Sequence, residues 1–126
     1  MADTKFDLED RLVDFSCRIV EVVEALPSTR AGNYIAAQLI RCGLAPGLLY
    51  GEAQGAESRA DFIHKMRICL KELKETRVCL KVITQSNMIK PVKRLDSIQS
   101  ENDQLISIVG KSIETAKKNI NAEKNH

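Results

Sequence analysis

Apolar residues recur along this chain at alternating steps of three and four positions, which is the period of one face of an α-helix. In the first segment this stripe consists of Leu8, Leu12, Phe15, Ile19, Val22 and Leu26. The pattern predicts a first helix over residues 7–26 that ends before Pro27. Ser28 or Thr29 is suited to cap the helix that follows, because a hydroxyl can accept a hydrogen bond from a first-turn amide.

The second predicted helix covers residues 30–54 and repeats the same spacing. Its stripe consists of Ile35, Leu39, Cys42, Pro46, Leu49 and Ala53. A proline inside a helix removes one backbone hydrogen bond and crowds the preceding turn, so we expect a kink between Gly43 and Gly47. One side of this helix carries small residues, namely Ala36, Gly43, Gly47 and Gly51. Since a helical glycine costs roughly 1 kcal/mol against alanine, we interpret them as a close-packing face, with a ligand site as the alternative.

Two more helices complete the pattern, over residues 59–86 and 93–118. The third opens with a capping-box-like Ser58 to Asp61, and its stripe is Phe62, Met66, Cys69, Leu73, Thr76, Leu80 and Ile83. The fourth follows Pro91, and its stripe is Leu95, Ile98, Asn102, Leu105, Val109, Ser112 and Ala116. Short loops favour antiparallel neighbours, so we predict one all-α domain over residues 1–126, an up-down-up-down four-helix bundle. The polar tail after Asn119 is expected to fray.

Composition narrows the classes of function. The chain has 126 residues, 44% hydrophobic and 29% charged, with a net charge of +2, which fits one globular domain and does not by itself indicate nucleic-acid binding. No apolar run approaches the roughly 20 residues that a membrane helix needs, so we expect no membrane partner and a cytoplasmic location. With two histidines and no Cys-x-x-Cys spacing, we expect no metal or cofactor. The four cysteines, Cys17, Cys42, Cys69 and Cys79, are expected to be reduced thiols within the core.

Two helices carry more apolar residues than one core stripe needs. The additional residues are Val13, Cys17 and Val20 on the first helix and Ile106, Ile108, Ile113 and Ile120 on the fourth. If exposed, they form the kind of contiguous apolar patch that marks an interface, so we expect self-association. The alternative is that the bundle buries these residues itself.

A polar cluster spans the junction of the second and third helices. It consists of Glu52, Gln54, Ser58, Arg59, Asp61, His64 and Lys65. We interpret it as a helix cap, an Asp61–Lys65 ion pair and an interface element. A di-metal carboxylate site would need a second Glu-x-x-His pair, and a Cys–His nucleophile would need an exposed thiol. Arg59 and His64 also resemble the Arg-to-His motif of HEPN ribonucleases, which cut RNA without a metal.

The third helix carries a basic stripe on the side opposite its core residues. It consists of Arg67, Lys71, Lys74, Arg77 and Lys81. Such a stripe can contact phosphates, although Glu72 and Glu75 alongside it are typical of an ordinary solvated face. Aromatic residues make up only 4% of the chain, which disfavours base stacking.

Three runs of the sequence, residues 38–43, 52–56 and 58–66, resemble a known family, and the likeness continues to about Ile83. The chain is similar to the bacterial four-helix-bundle proteins named for the open reading frame in 23S rRNA intervening sequences. The resemblance implies a ring-shaped homopentamer without established enzymatic activity, structurally related to a nucleic-acid-binding accessory protein of diversity-generating retroelements. Where relatives often carry polar residues on the second helix, this chain has Cys42-Gly43-Leu44-Ala45 and Leu49.

Together these observations predict a non-catalytic homo-oligomeric scaffold, pentameric by the resemblance, that binds RNA or an RNA-bound protein. No small-molecule substrate is indicated. The alternative function is a metal-independent ribonuclease that uses Arg59 and His64.

Overall fold

A computed structural model describes residues 7–124 of the chain and consists of four long α-helices. They are α1 (Leu8–Ala25), α2 (Arg30–Gln54), α3 (Arg59–Gln85) and α4 (Asp96–Lys124). A short 3₁₀ turn, Val92–Leu95, leads into α4. The predicted all-α four-helix bundle is therefore confirmed.

Side-chain caps begin the first three helices. Asp7 Oδ1 accepts a hydrogen bond from the Asp10 amide at 3.2 Å, and Thr29 Oγ1 accepts one from the Gly32 amide at 3.0 Å. Thr29, rather than Ser28, is thus the cap of α2. Ser58 Oγ accepts from the Asp61 amide at 3.0 Å, as the capping pattern predicts. Each cap satisfies a backbone donor that the helix itself leaves open.

The helices pack in a closed order in which α1 contacts α2, α2 contacts α3, α3 contacts α4, and α4 contacts α1. No Cα atom of α1 lies within 8 Å of a Cα atom of α3, so these two helices lie diagonally across the bundle. Apolar side chains from all four helices fill the centre; the largest fully buried ones include Leu12, Phe15, Ile19, Leu39, Met66, Leu73, Leu80, Ile83 and Leu105. α1 is also tied to α4 by polar bonds, because Arg11 binds Glu101 at 2.6 and 2.8 Å and Arg18 donates to Ser97 at 2.7 Å.

Helix α4 departs from its predicted pattern in two ways. Ile113, rather than Ser112, continues the core stripe after Val109, because the stripe drifts around a straight helix of 3.6 residues per turn. α4 also continues to Lys124 instead of ending near residue 118. Ile120 packs against the core, and Glu123 forms an ion pair with Arg59 of α3, so the polar last turn is held in place.

The glycines of α2 serve close helix packing at one position. A Cβ atom added at Gly43 would lie 2.7 Å from Cγ2 of Ile19, so α1 sits directly on the α2 backbone there. At Gly51 an added Cβ would meet nothing within 4 Å. The small-residue face of α2 is thus a packing surface at Gly43 and an open surface at Gly51. α2 remains helical through Pro46, and the kink stays a prediction.

One polar side chain lies at the centre of the core. Asn102 of α4 is almost fully buried, and its Nδ2 donates to the Leu73 carbonyl oxygen at 3.2 Å. Its Oδ1 has no hydrogen-bond partner among the described residues. A buried polar group in a helical seam favours one alignment of the helices over others, and Asn102 therefore fixes α4 against α3.

Candidate functional site

An apolar groove runs along the outside of the bundle between α1 and α2. We call it the α1/α2 groove; its apolar walls are Val13, Cys17, Val20, Leu44 and Leu48, with Gly47 and Gly51 at its floor. Leu48 is 69% exposed and Val13 is 53% exposed, although both side chains are apolar. The predicted second apolar stripe of α1 is therefore open to solvent, as self-association requires.

A second exposed apolar surface lies on α3. We call it the α3 ridge; it consists of Val78 and Val82 together with Lys71, Lys74 and Lys81. Val78 is 58% exposed and stands one helical turn from both Lys74 and Lys81. Because α1 and α3 lie diagonally in the bundle, the groove and the ridge are on separate sides of the molecule.

The outward side of α1 is acidic. The helix contains five acidic and two basic residues, and both basic residues, Arg11 and Arg18, bond to side chains of α4. The exposed acidic residues next to the groove stripe are Glu9, Asp10, Asp14, Glu21 and Glu24. The α1/α2 groove is therefore bordered by negative charge along its α1 side.

The outward side of α3 is basic, because basic residues outnumber acidic ones and the acidic ones are paired within the chain. This helix contains seven basic and three acidic residues. Two of the acidic residues, Glu72 and Glu75, form ion pairs with Arg41 of α2. The guanidinium nitrogens of Arg41 lie 2.9 Å from a carboxylate oxygen of Glu72 and 2.6 Å from one of Glu75. The third, Asp61, caps the start of the helix. The negative charges of α3 are thus paired within the chain, and the exposed face of the helix is left positively charged.

The predicted basic stripe is present on α3. Arg67, Lys71, Lys74 and Lys81 are exposed and Arg77 is half-buried. None of the five has a hydrogen bond or ion pair with another residue in the part of the chain that the structure describes. The pattern of charges along the helix had located this stripe but had not included Val78 and Val82 in it. Their spacing of four residues was the available signal.

The predicted polar cluster does not form one site. Arg59 turns toward α4 and pairs with Glu123, while Lys65 Nζ pairs with Glu52 Oε1 at 2.9 Å. The expected Asp61–Lys65 ion pair is therefore wrong, because Glu52 on α2 offers Lys65 a closer partner. Glu52 binds within the chain rather than reaching outward.

The other cluster members are structural or solvent-exposed. Ser58 and Asp61 cap α3, while Gln54 and His64 lie on the surface. Arg59 and His64 are five positions apart, which places them about 140° apart around the helix at 100° per residue. They do not converge on one point within this chain. Within residues 7–124, no three His, Cys, Asp or Glu side chains are grouped to hold a metal ion.

Two expectations about apolar residues need correction. Cys17 is exposed rather than in the core, because it belongs to the outer stripe of α1; Cys42 and Cys69 are buried and Cys79 is half-buried. On α4, Ile113 is buried, and the remaining isoleucines pack against the core. The additional apolar residues of α4 are therefore covered by the bundle itself, whereas those of α1 remain exposed to solvent.

These features define a small all-α protein of the four-helix-bundle class. The chain belongs to the family of 23S rRNA-intervening sequence proteins, whose profile matches residues 5–111. It is also similar to a solved structure of a protein of unknown function from the S23 ribosomal protein family of Bacteroides thetaiotaomicron. The two share 29% sequence identity and a TM-score of 0.79 over 85% of this chain and 98% of the other. No curated protein matches the chain.

No helix within the described range 7–124 is long and apolar enough to cross a membrane.

Proposed function

We propose that this protein is a non-catalytic scaffold that works as a homo-oligomer, in which the α3 ridge of one copy occupies the α1/α2 groove of the next. The observation that carries the proposal is the match between the two surfaces. The groove is apolar with an acidic border, whereas the ridge is apolar with a basic border. Joining them buries exposed leucine and valine side chains and brings opposite charges together.

The two surfaces differ, so a contact between them is head to tail rather than two-fold symmetric. Repeated head-to-tail contacts close into a ring when the rotation between copies divides a full turn. Because the groove lies on the α1–α2 edge and the ridge lies on α3, successive copies are rotated relative to each other. The family resemblance implies five copies, and we adopt that number for the ring.

The scaffold role is supported by how the conspicuous polar residues are used. Arg59, Lys65 and Arg41 form ion pairs between helices, and Ser58 and Asp61 cap α3. These side chains hold the bundle together, so we assign none of them to catalysis.

Reversing charges across the proposed contact tests the assembly. Lys74→Glu is expected to lower the oligomer fraction, since it places a carboxylate against the acidic border of the groove. Adding Asp14→Lys restores opposite charges and is expected to recover assembly in the double variant. Sedimentation velocity at one protein concentration measures all forms. A monomeric native protein, or a double variant no better than Lys74→Glu alone, contradicts the proposed contact.

RNA binding is a second candidate function, favoured by the five basic residues of α3 that lack partners among the described side chains. On a single chain these five residues share one side of α3, and phosphate contacts with them give binding that weakens as salt rises. Exposed valines between the lysines favour a protein contact over a phosphate contact, which is why we place self-assembly first.

Two variants separate these functions. Changing Lys71, Lys74 and Lys81 to Glu is expected to abolish RNA binding in a low-salt filter assay, because three phosphate contacts become repulsive. Val78→Ser keeps every charge and is expected to reduce assembly while each chain still binds RNA. Equal RNA binding by the native protein and the triple variant would remove RNA as a partner of this stripe.

A further inference from the structure

A small cavity lies between the second half of α1 and the start of α4, and residues of the α3–α4 connection complete its wall. Its volume is about 260 Å³, and it shares no lining residue with the α1/α2 groove. Most of its apolar lining is withdrawn from solvent and consists of Val22, Ile89, Leu95 and Ile98. The cavity thus has an aliphatic floor and lies outside both surfaces of the proposed assembly.

Three charged side chains line the same cavity. In the described part of the chain, the guanidinium group of Arg18 donates to Ser97 Oγ at 2.7 Å, and that of Arg94 donates to the Lys90 carbonyl oxygen at 3.5 Å. Both acceptors are neutral. The third charged side chain, Glu21, forms no ion pair within the same residues. Two positive charges and one negative charge therefore border the cavity without a charged partner.

Other arginines of this protein are neutralised by a glutamate on a neighbouring helix. The three arginines with such an ion pair are Arg11, Arg41 and Arg59. Arg18 and Arg94 share a cavity with Glu21, yet they pair neither with it nor with another carboxylate of the described residues. Their charges, and that of Glu21, are therefore available to a ligand.

The charges and the size of the cavity select the class of ligand. A guanidinium group binds a carboxylate through two parallel hydrogen bonds, and the Glu21 carboxylate can accept from an ammonium group. A phosphate dianion would face Glu21, and a simple carboxylic acid would leave Glu21 unpartnered beside an apolar body. The volume is below the roughly 300–1,000 Å³ of sites for drug-sized ligands, so the cavity suits a smaller molecule.

We propose that this cavity binds one free α-amino acid with an aliphatic side chain. The ligand carboxylate accepts hydrogen bonds from Arg18 and Arg94, and the ligand ammonium donates to Glu21. The aliphatic side chain packs on the floor of the cavity. The bound molecule joins α1 to the α3–α4 connection, and because it binds only the folded chain, it raises the melting temperature.

Isothermal titration calorimetry of the full chain tests the site with L-leucine as the probe. One molecule is expected to bind per chain. Isocaproate, which lacks the amino group, and isopentylamine, which lacks the carboxylate, are each expected to bind at least about tenfold more weakly, because each loses one charged contact. The proposal is overturned if millimolar L-leucine gives neither binding heat nor a rise in melting temperature, or if isocaproate or inorganic phosphate binds as tightly as L-leucine.

Variants assign the charged contacts. Arg94→Gln is expected to weaken L-leucine binding at least about tenfold, because a charged hydrogen bond to the carboxylate is lost. Lys93→Gln is the matched control, since Lys93 lies beside Arg94 in the same 3₁₀ turn and is exposed but does not line the cavity. Its affinity is expected to stay native, and equal affinities of the two variants would overturn the site.

Glu21→Gln separates the two ends of the ligand. It is expected to weaken L-leucine at least about tenfold and to leave isocaproate binding no weaker, because only L-leucine carries an ammonium group. Unchanged L-leucine binding, or an equal loss for both ligands, would contradict the assignment of Glu21 to the ammonium group and overturn the proposal.

Discussion

Leu48→Arg is expected to convert the oligomer into single chains. Leu48 is the most exposed large apolar residue of the groove, and in the proposed contact it is covered by the α3 ridge of the next copy. Arginine at this position would place a long charged side chain inside the apolar contact and close to Lys74 and Lys81, and taking a charge out of water costs several kcal/mol. Multi-angle light scattering is expected to report the mass of one chain for this variant at concentrations where the native protein assembles.

The matched control is Val92→Arg. Val92 is also an exposed apolar residue, but it belongs to the 3₁₀ turn before α4 and to neither proposed surface. This variant is expected to retain the native mass. Unfolding of Leu48→Arg is not expected, because Leu48 contributes little to the core, and circular dichroism checks that its helices persist. An oligomeric Leu48→Arg of native mass would show that the groove is not the contact.

Gly32→Ala is expected to lower the free energy of unfolding by about 2–3 kcal/mol, the upper range for an extra methylene in a tightly packed place. A Cβ atom at Gly32 would lie 1.9 Å from the Pro27 carbonyl oxygen. That oxygen belongs to the backbone of the α1–α2 connection, so a side-chain movement cannot relieve the contact. The loss outweighs the roughly 1 kcal/mol that alanine gains over glycine inside a helix. Urea denaturation of the two proteins measures the difference.

Gly110→Ala provides the comparison. Gly110 lies in the interior of α4, and a Cβ atom added there meets nothing within 4 Å. Alanine is favoured over glycine inside a helix and causes no steric conflict at this position. The free energy of unfolding of this variant is therefore expected to rise by up to about 1 kcal/mol. If the two alanine variants were equally stable, the close approach of Pro27 to Gly32 would not constrain the fold.

The sequence by itself was sufficient to predict the four helices and much of the hydrophobic core. The spacing of apolar residues predicted all four helices, and the starts of α2 and α3 followed from the hydroxyls of Thr29 and Ser58. These are local properties, since helical period and capping involve residues within about one turn of each other. The basic stripe of α3 and the surplus apolar stripe of α1 were visible for the same reason.

The partners of side chains between helices were decided only by the tertiary structure. Lys65 had Asp61 available on its own helix but bonds to Glu52 of α2, and Arg59 holds the end of α4 through Glu123. Sequence spacing carries no information on such pairs, because they depend on how far neighbouring helices are rotated and shifted. The same geometry exposes Cys17 and turns Arg11 and Arg18 away from the groove. The chain thus specifies its helices locally, whereas the charge and chemistry of each face arise from packing.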